Sequence, residues 1–118
     1  MTIDELRNSR FLRKEDVDPP VTATIDHVEK VNVAPMGEKP ELKWCLFFRK
    51  EQGIKPLVLN RTNGELLARA LGSRDSADWI GKDIELYADP TVPFGGKLVG
   101  GIRVRQARPA VQPIEEIF

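Results

Sequence analysis

Apolar and polar residues alternate in five separate stretches of this chain, and one stretch among them repeats at helical spacing. In "VTATIDHVEKVNVA", Val21, Ala23 and Ile25 alternate with Thr22, Thr24 and Asp26, the pattern of a half-buried strand. The phase then slips, because Val28, Val31 and Val33 do not continue it. A bulge near His27–Lys30 would absorb that slip and bend the strand. "ELKWCLFFRK" places Trp44, Leu46 and Phe48 on one face and Lys43, Cys45, Phe47 and Arg49 on the other. The first set is wholly apolar and is expected to face the core. "KPLVLN" reads as a short third strand, with Pro56 at its start or on an edge. "KDIELYAD" reads as a fourth, with Ile84, Leu86 and Ala88 inward and Glu85, Tyr87 and Asp89 outward. "KLVGGIRVRQA" reads as a fifth, with Ile102 and Val104 inward and Arg103 and Arg105 outward. Gly100 and Gly101 mark a bulge or sharp bend within it.

Two helices are expected. Thr2 and Glu5 fit a capping box that opens a short N-terminal helix to about Leu12, which "DVDPP" ends. In "TNGELLARALG", Thr62 and Glu65 fit a second capping box. Leu66, Leu67, Ala70 and Leu71 then form an apolar face, and Gly72 suits a left-handed C-terminal cap. The order is three strands, a helix and two strands. Short, twisted strands in that order have the layout of a mainly β, five-stranded Greek-key barrel of the OB type, with the helix plugging one end. An open α+β sandwich of the same elements is the rival. Residues 1–108 read as one domain and 109–118, "PAVQPIEEIF", as an acidic tail.

Composition narrows the function classes. The 118 residues are 41% hydrophobic and 31% charged, as in soluble globular chains. No apolar run approaches ~18 residues, so no spanning helix and no membrane contact are expected. The charged N-terminus lacks a signal-peptide core, which points to the cytoplasm. Cys45 is the only cysteine and His27 the only histidine. That leaves no disulfide, no Cys-cluster metal site and no Ser-His-Asp arrangement. No phosphate-binding Gly-Lys-Ser/Thr loop occurs either. Asp75 and Asp78 sit in a connector where acids serve helix ends. A non-enzymatic protein without metal or cofactor is expected.

Net charge is zero, from 18 Lys+Arg and 18 Asp+Glu. This argues against a generic polyanion coat, but the charges cluster. Residues 97–108 carry Lys97, Arg103, Arg105 and Arg108 without an acid. Residues 41–61 carry five cations, among them Lys43, Arg49 and Arg61, against two acids. Such patches act locally on a partner.

The segments "FLRKEDV", "PVTATIDHVE", "LFFRKEQGIKPLVLNRTNGELLARALG" and "DWIGKDIELY", closed by "GGKLVGGIRVR", resemble small proteins encoded by bacteriophages and prophages. Those in turn resemble OB-fold single-stranded DNA-binding proteins. The similarity runs over roughly residues 9–107, and its specific pieces are "LVLNRTN", "WIGKDIELY" and "GIRVR". The resemblance implies a role in phage replication or recombination, in the bacterial host cytoplasm, with single-stranded DNA as the partner.

A single-strand binder needs aromatic rings for stacking and cations that follow the backbone. The outward set offers Lys43, Phe47 and Arg49 on the second strand, Tyr87 on the fourth, and Arg103 and Arg105 on the fifth. Pairing of those arginines with Glu85 and Asp89 across the ladder would instead neutralise them. The connection "DPTVPFGGK" adds Phe94, facing either solvent or the barrel, and Lys97. Arg61 at the helix entry is a further phosphate candidate. The segment Glu115, Glu116, Ile117, Phe118 is similar to the acidic, Phe-ended tails with which bacterial single-stranded DNA-binding proteins dock replication partners. It has only two acids, and it equally fits a tail folded back on its own domain. The alternative to DNA binding is a non-catalytic interaction or assembly module, for which zero net charge argues; a homo-oligomer is compatible with either.

Overall fold

A computed structural model describes residues 10–108; the expected N-terminal helix and the C-terminal tail fall largely or wholly outside that span. The elements are a 3₁₀ turn Lys14–Val17, β1 Val21–Asn32, β2 Leu42–Phe48, a 3₁₀ turn Lys50–Gln52 and β3 Leu57–Val58. There follow the helix α1 Arg61–Leu71, a 3₁₀ turn Ser76–Trp79, β4 Asp83–Asp89, β5 Pro93–Phe94, β6 Lys97–Leu98 and β7 Gly101–Gln106. The five-stranded antiparallel sheet has the order β3-β2-β1-β4-β7, and β5 and β6 form a separate hairpin.

β1 is the strand the sheet is built around. Its first part, Val21–Thr24, pairs with β4, and Ile25 to Asn32 pairs with β2. Between the two, Ile25 stands opposite Phe48 and His27 opposite Phe47, leaving Asp26 unmatched. This is the bulge the slipped phase predicts, one residue earlier than the expected span. It lets one strand turn from one half-sheet into the other. Thr24, nearly buried, ties the corner: its N–H donates to Gln52 Oε1 at 2.8 Å and its hydroxyl to Asp83 Oδ1 at 2.6 Å. The same hydroxyl accepts from Gln52 Nε2 at 3.1 Å, and the Thr24 carbonyl accepts from Arg49 N at 3.0 Å. A buried polar group so fully partnered costs little to desolvate.

The core gathers Val17, Ala23, Ile25, Leu46, Phe48, Leu57, Leu67, Trp79, Ile84, Leu86 and Val104. Trp79 is buried, its Nε1 donating to the Ser73 carbonyl at 2.8 Å. Helix α1 lies against β7, pinned by Asn63 Nδ2 to the Ile102 carbonyl at 3.1 Å. The edges β3 and β7 face each other across a cleft of about 340 Å³ that Leu12–Lys14 also lines, with Leu12 N donating to the Pro56 carbonyl. The sheet does not close into a barrel.

Three expectations are corrected. The α1 cap is Asn60, whose side chain accepts from Asn63 N at 2.8 Å, not the Thr62–Glu65 box. An earlier Asx residue was available, and Asx residues rank with serine above threonine as caps. Gly72 does adopt the left-handed cap, with φ 73°. Lys97 and Leu98 leave the last strand and form the hairpin with β5, because the Gly95–Gly96 turn joins two residues on each side. Arg49 lies past the end of β2, at the start of the Lys50–Gln52 turn.

Thr24→Val keeps the β-branched shape but removes the hydroxyl, so Asp83 Oδ1 and Gln52 Nε2 lose that partner while Gln52 Oε1 keeps the Thr24 N–H. Stability should fall by about 1–3 kcal/mol, read as a lower urea midpoint at unchanged slope. A shift within a few tenths of a kcal/mol would show that the corner is not held by this side chain.

Candidate nucleic-acid interface

Side chains at alternate positions of β2 share a face, so Leu42, Trp44, Leu46 and Phe48 point the same way. Leu46 and Phe48 reach the core, but Trp44 is 52% exposed and Leu42 61% exposed. The expectation that Trp44 lies in the core is therefore wrong. The reason is length: the β1–β2 hairpin extends past the elements that cover its inner face. Asn32 stiffens its far end, its Oδ1 accepting from Ala34 N at 3.1 Å and Glu41 N at 3.0 Å. Trp44 is held from behind, its carbonyl accepting from Leu59 N at 2.9 Å.

The uncovered face is the floor of an open groove of about 940 Å³, with Val28, Leu42, Trp44 and Leu59 as its apolar surface. Lys43, Arg61 and Arg74 line it as cations, and Asp75 as the acid. Arg61 is the first residue of α1 and is exposed to solvent at the groove. Lys30, opposite Trp44 in the ladder, brings its ammonium 5.6 Å from the indole centre. Lys43 Nζ lies 3.4 Å from Glu41. Arg74 makes a two-pronged contact with Glu65 at 2.8 and 2.7 Å, which holds the Glu65 carboxyl below its ordinary range. That pair is exposed and is worth little to stability. Arg61 in the groove and Lys30 beside Trp44 are thus the cations least committed to acids.

The other sequence-derived candidates fall in separate places. Phe47, on the opposite face of β2, stacks on His27 with ring centres 4.5 Å apart and planes 5° from parallel. His27 Nδ1 lies 2.6 Å from Asp26 and Nε2 3.1 Å from Glu29, so Phe47 already has an aromatic neighbour of its own chain. On the β4–β7 face, Arg105 stands opposite Glu85 and Arg103 opposite Tyr87. Arg105 pairs with the nearly buried Glu85 and lies 4.1 Å over the Tyr87 ring. Arg108 approaches Glu85 at 3.6 Å. The neutralising cross-strand pairing therefore holds for Arg105. Arg103 instead donates to its own Ile102 carbonyl at 3.0 Å.

Phe94 points at solvent, 78% exposed, opposite Lys97 on the β5–β6 hairpin. Of the candidate set, the fold brings Lys43 and Arg61 together in the groove, and Tyr87, Arg103 and Arg105 together on β4–β7. Arg49, Phe47 and the Phe94–Lys97 pair stand apart from both. Glu115, Glu116, Ile117 and Phe118 lie outside the described residues. Asp75 and Asp78 serve the connector: Asp75 caps the Ser76–Trp79 turn through Ala77 N, and Asp78 accepts from Ser73 Oγ. Cys45 is buried, which pushes its thiol above the ordinary range.

Trp44 is the residue that sequence reasoning missed. Its signal was adjacent to it: Leu42 on the same face directly follows a loop, and Lys43, Glu41 and Lys39 surround it. Compared with known protein families, characterised proteins and solved structures, the chain matches none of them.

The two tryptophans should separate spectroscopically. Acrylamide should quench the Trp44 emission strongly and leave a blue-shifted, weakly quenched component from Trp79, which Trp44→Phe isolates. Equal quenching of both indoles would contradict an open groove.

Proposed function

We propose that this chain is a non-enzymatic protein that binds single-stranded DNA with little sequence preference. The observation that carries the reading is Trp44, half-exposed on an apolar floor with Lys30, Lys43 and Arg61 around it. Stacking on an aromatic ring is indifferent to base identity, and nearby cations follow the phosphates. The strand order, with the helix after β3 and the two sheet edges facing across a cleft, supports an OB-type layout. A role in phage replication or recombination rests on the resemblance of "LVLNRTN", "WIGKDIELY" and "GIRVR". Within that reading, Glu115–Phe118 is the proposed contact for replication partners.

The second reading, an interaction or assembly module, is favoured by a different observation. Phe94 and Leu98 stand exposed on the hairpin, and Leu98 is 69% exposed. The two point from opposite faces of the hairpin, and large apolar side chains exposed in this way commonly meet another protein.

The test is a titration of fluorescein-labelled oligo-dT followed by anisotropy. Wild type should bind, with a salt slope of about −2 if three cations meet phosphates. Trp44→Ala should weaken binding roughly five- to hundred-fold, the range for one lost stacking contact. Arg61→Ala should lower both the affinity and the salt slope. Arg105→Ala should have the smaller effect, since its guanidinium is already engaged by Glu85 and Tyr87. No binding at micromolar protein in low salt would sink the reading.

A further inference from the structure

We infer that the cleft between β3 and β7 is a second nucleotide subsite, which takes a base bearing an exocyclic amino group and reads that group with Asn63. The inference deepens the single-strand reading and rests on it. Asn63 lines this cleft of about 340 Å³ and is only 2% exposed. Its Nδ2 donates to the Ile102 carbonyl at 3.1 Å. Its Oδ1, shut off from bulk water, has no partner among the described residues. The orientation of the amide follows from chemistry, because a carbonyl opposite it can only accept. What is left over is therefore an acceptor. Buried side-chain acceptors are nearly always met by a donor, so this one is a place for a donor from outside the chain.

The rest of the lining says which donor. Arg13, Lys14 and Arg103 border the cleft, and none of the described acids does. Lys14 gives one bond to the Val99 carbonyl, and Arg103 gives one of its N–H groups to the Ile102 carbonyl. Both side chains keep further donors for an anion. Leu12, Leu57, Val92 and Ile102 supply apolar walls. A fitting ligand thus carries a negative charge, a flat apolar body and an N–H donor at its edge. A nucleotide has all three, in its phosphate, its ring and its exocyclic amine. The volume lies at the small end of the ~300–1,000 Å³ usual for small-molecule sites, room for one base rather than a stack of them. No backbone hydrogen bond joins β3 to β7 among the described residues, so the two edges can part to admit the ring.

The same acceptor ranks the bases. Cytosine and adenine present an amino group that stands out from the ring edge, where thymine presents a carbonyl oxygen. The one N–H of thymine is recessed between two such oxygens, which would face Asn63 Oδ1 and the Ile102 carbonyl, both acceptors. That carbonyl already accepts from Asn63 and Arg103, so an incoming amino group is directed to Asn63. The subsite is also continuous with the first. Asn60, at the junction of β3 and α1, lines both this cleft and the Trp44 groove. A strand stacked on Trp44 reaches the cleft by crossing that one residue. Stacking ignores base identity, and the cleft adds a preference at a single position of the strand.

The full chain is titrated into three labelled strands: oligo-dC, oligo-dT and an oligomer of 2-pyrimidinone, which is cytosine without its amino group. Oligo-dC should bind about two- to ten-fold more tightly than either of the others, the range for one hydrogen bond. In nitrogen–proton correlation spectra the Asn63 side-chain amide should shift on adding oligo-dC, and less on adding the desamino strand. Asn63→Ala should bring the ratio of oligo-dC to oligo-dT affinity towards one, with circular dichroism checking the fold. Should that variant unfold, the comparison of oligo-dC with its desamino analogue decides alone. Arg13→Gln should weaken all three strands alike and flatten the salt dependence, as a phosphate contact does. Equal affinity for oligo-dC and the desamino strand would overturn the inference, as would an Asn63 amide unmoved at saturating oligo-dC. If no strand binds at micromolar protein in low salt, the DNA reading is lost and the subsite with it. If all three bind alike, the DNA reading stands and only the subsite falls.

Discussion

One unmatched residue, Asp26, sets the shape of this molecule. A straight twelve-residue strand can belong to one flat sheet. With the extra residue, β1 pairs with β4 before the bulge and with β2 after it, and the five strands curl round a common core. The corner would expose or strand backbone groups if nothing met them. Thr24 and Gln52 supply that partner on one side, and Ile25 does so on the other, with its N–H donating to Lys82 O and its carbonyl accepting from Gly81 N. Burial of Ala23, Thr24 and Ile25 in succession follows, because both faces of the strand are covered where it turns.

The same curl decides where the groove lies. Core-covering elements reach Leu46 and Phe48 but not the far end of the β1–β2 hairpin. The apolar face of β2 therefore continues beyond the core as Trp44 and Leu42. A strand face of unbroken apolar character thus performs two tasks along its length, packing at one end and contact at the other. On β4 and β7 the opposite solution appears. Glu85 is nearly buried between Arg105 and Arg108, and Arg105 covers Tyr87. Charged groups there satisfy each other and seal an aromatic ring.

Legibility followed periodicity. The alternation of β1, β2, β4 and β7, the helix after the third strand, the Gly72 cap and the bulge in β1 could be read from residue spacing, because each is a local response to local sequence. Closure of the sheet could not, since it depends on how far β3 and β7 are drawn together, and no spacing encodes that distance. The fate of Trp44 was hidden because alternation reports which face a residue takes and not how far the cover over that face extends. Phe47 looked like the stacking residue because cations flank it in sequence. Its actual neighbour, His27, comes from another strand through a register that the bulge alone determines.

The Gly95–Gly96 turn carries a consequence for how this chain can vary. Surface loops usually accept insertions. Here both turn residues have positive φ, 58° and 80°, and the two-residue connection fixes Phe94 opposite Lys97. Strand side chains alternate with a period of two, so one inserted residue would part Phe94 from Lys97, which now share one side of the ribbon. Lineages that retain the projecting pair are therefore free to change its identity but not the length of the turn beneath it.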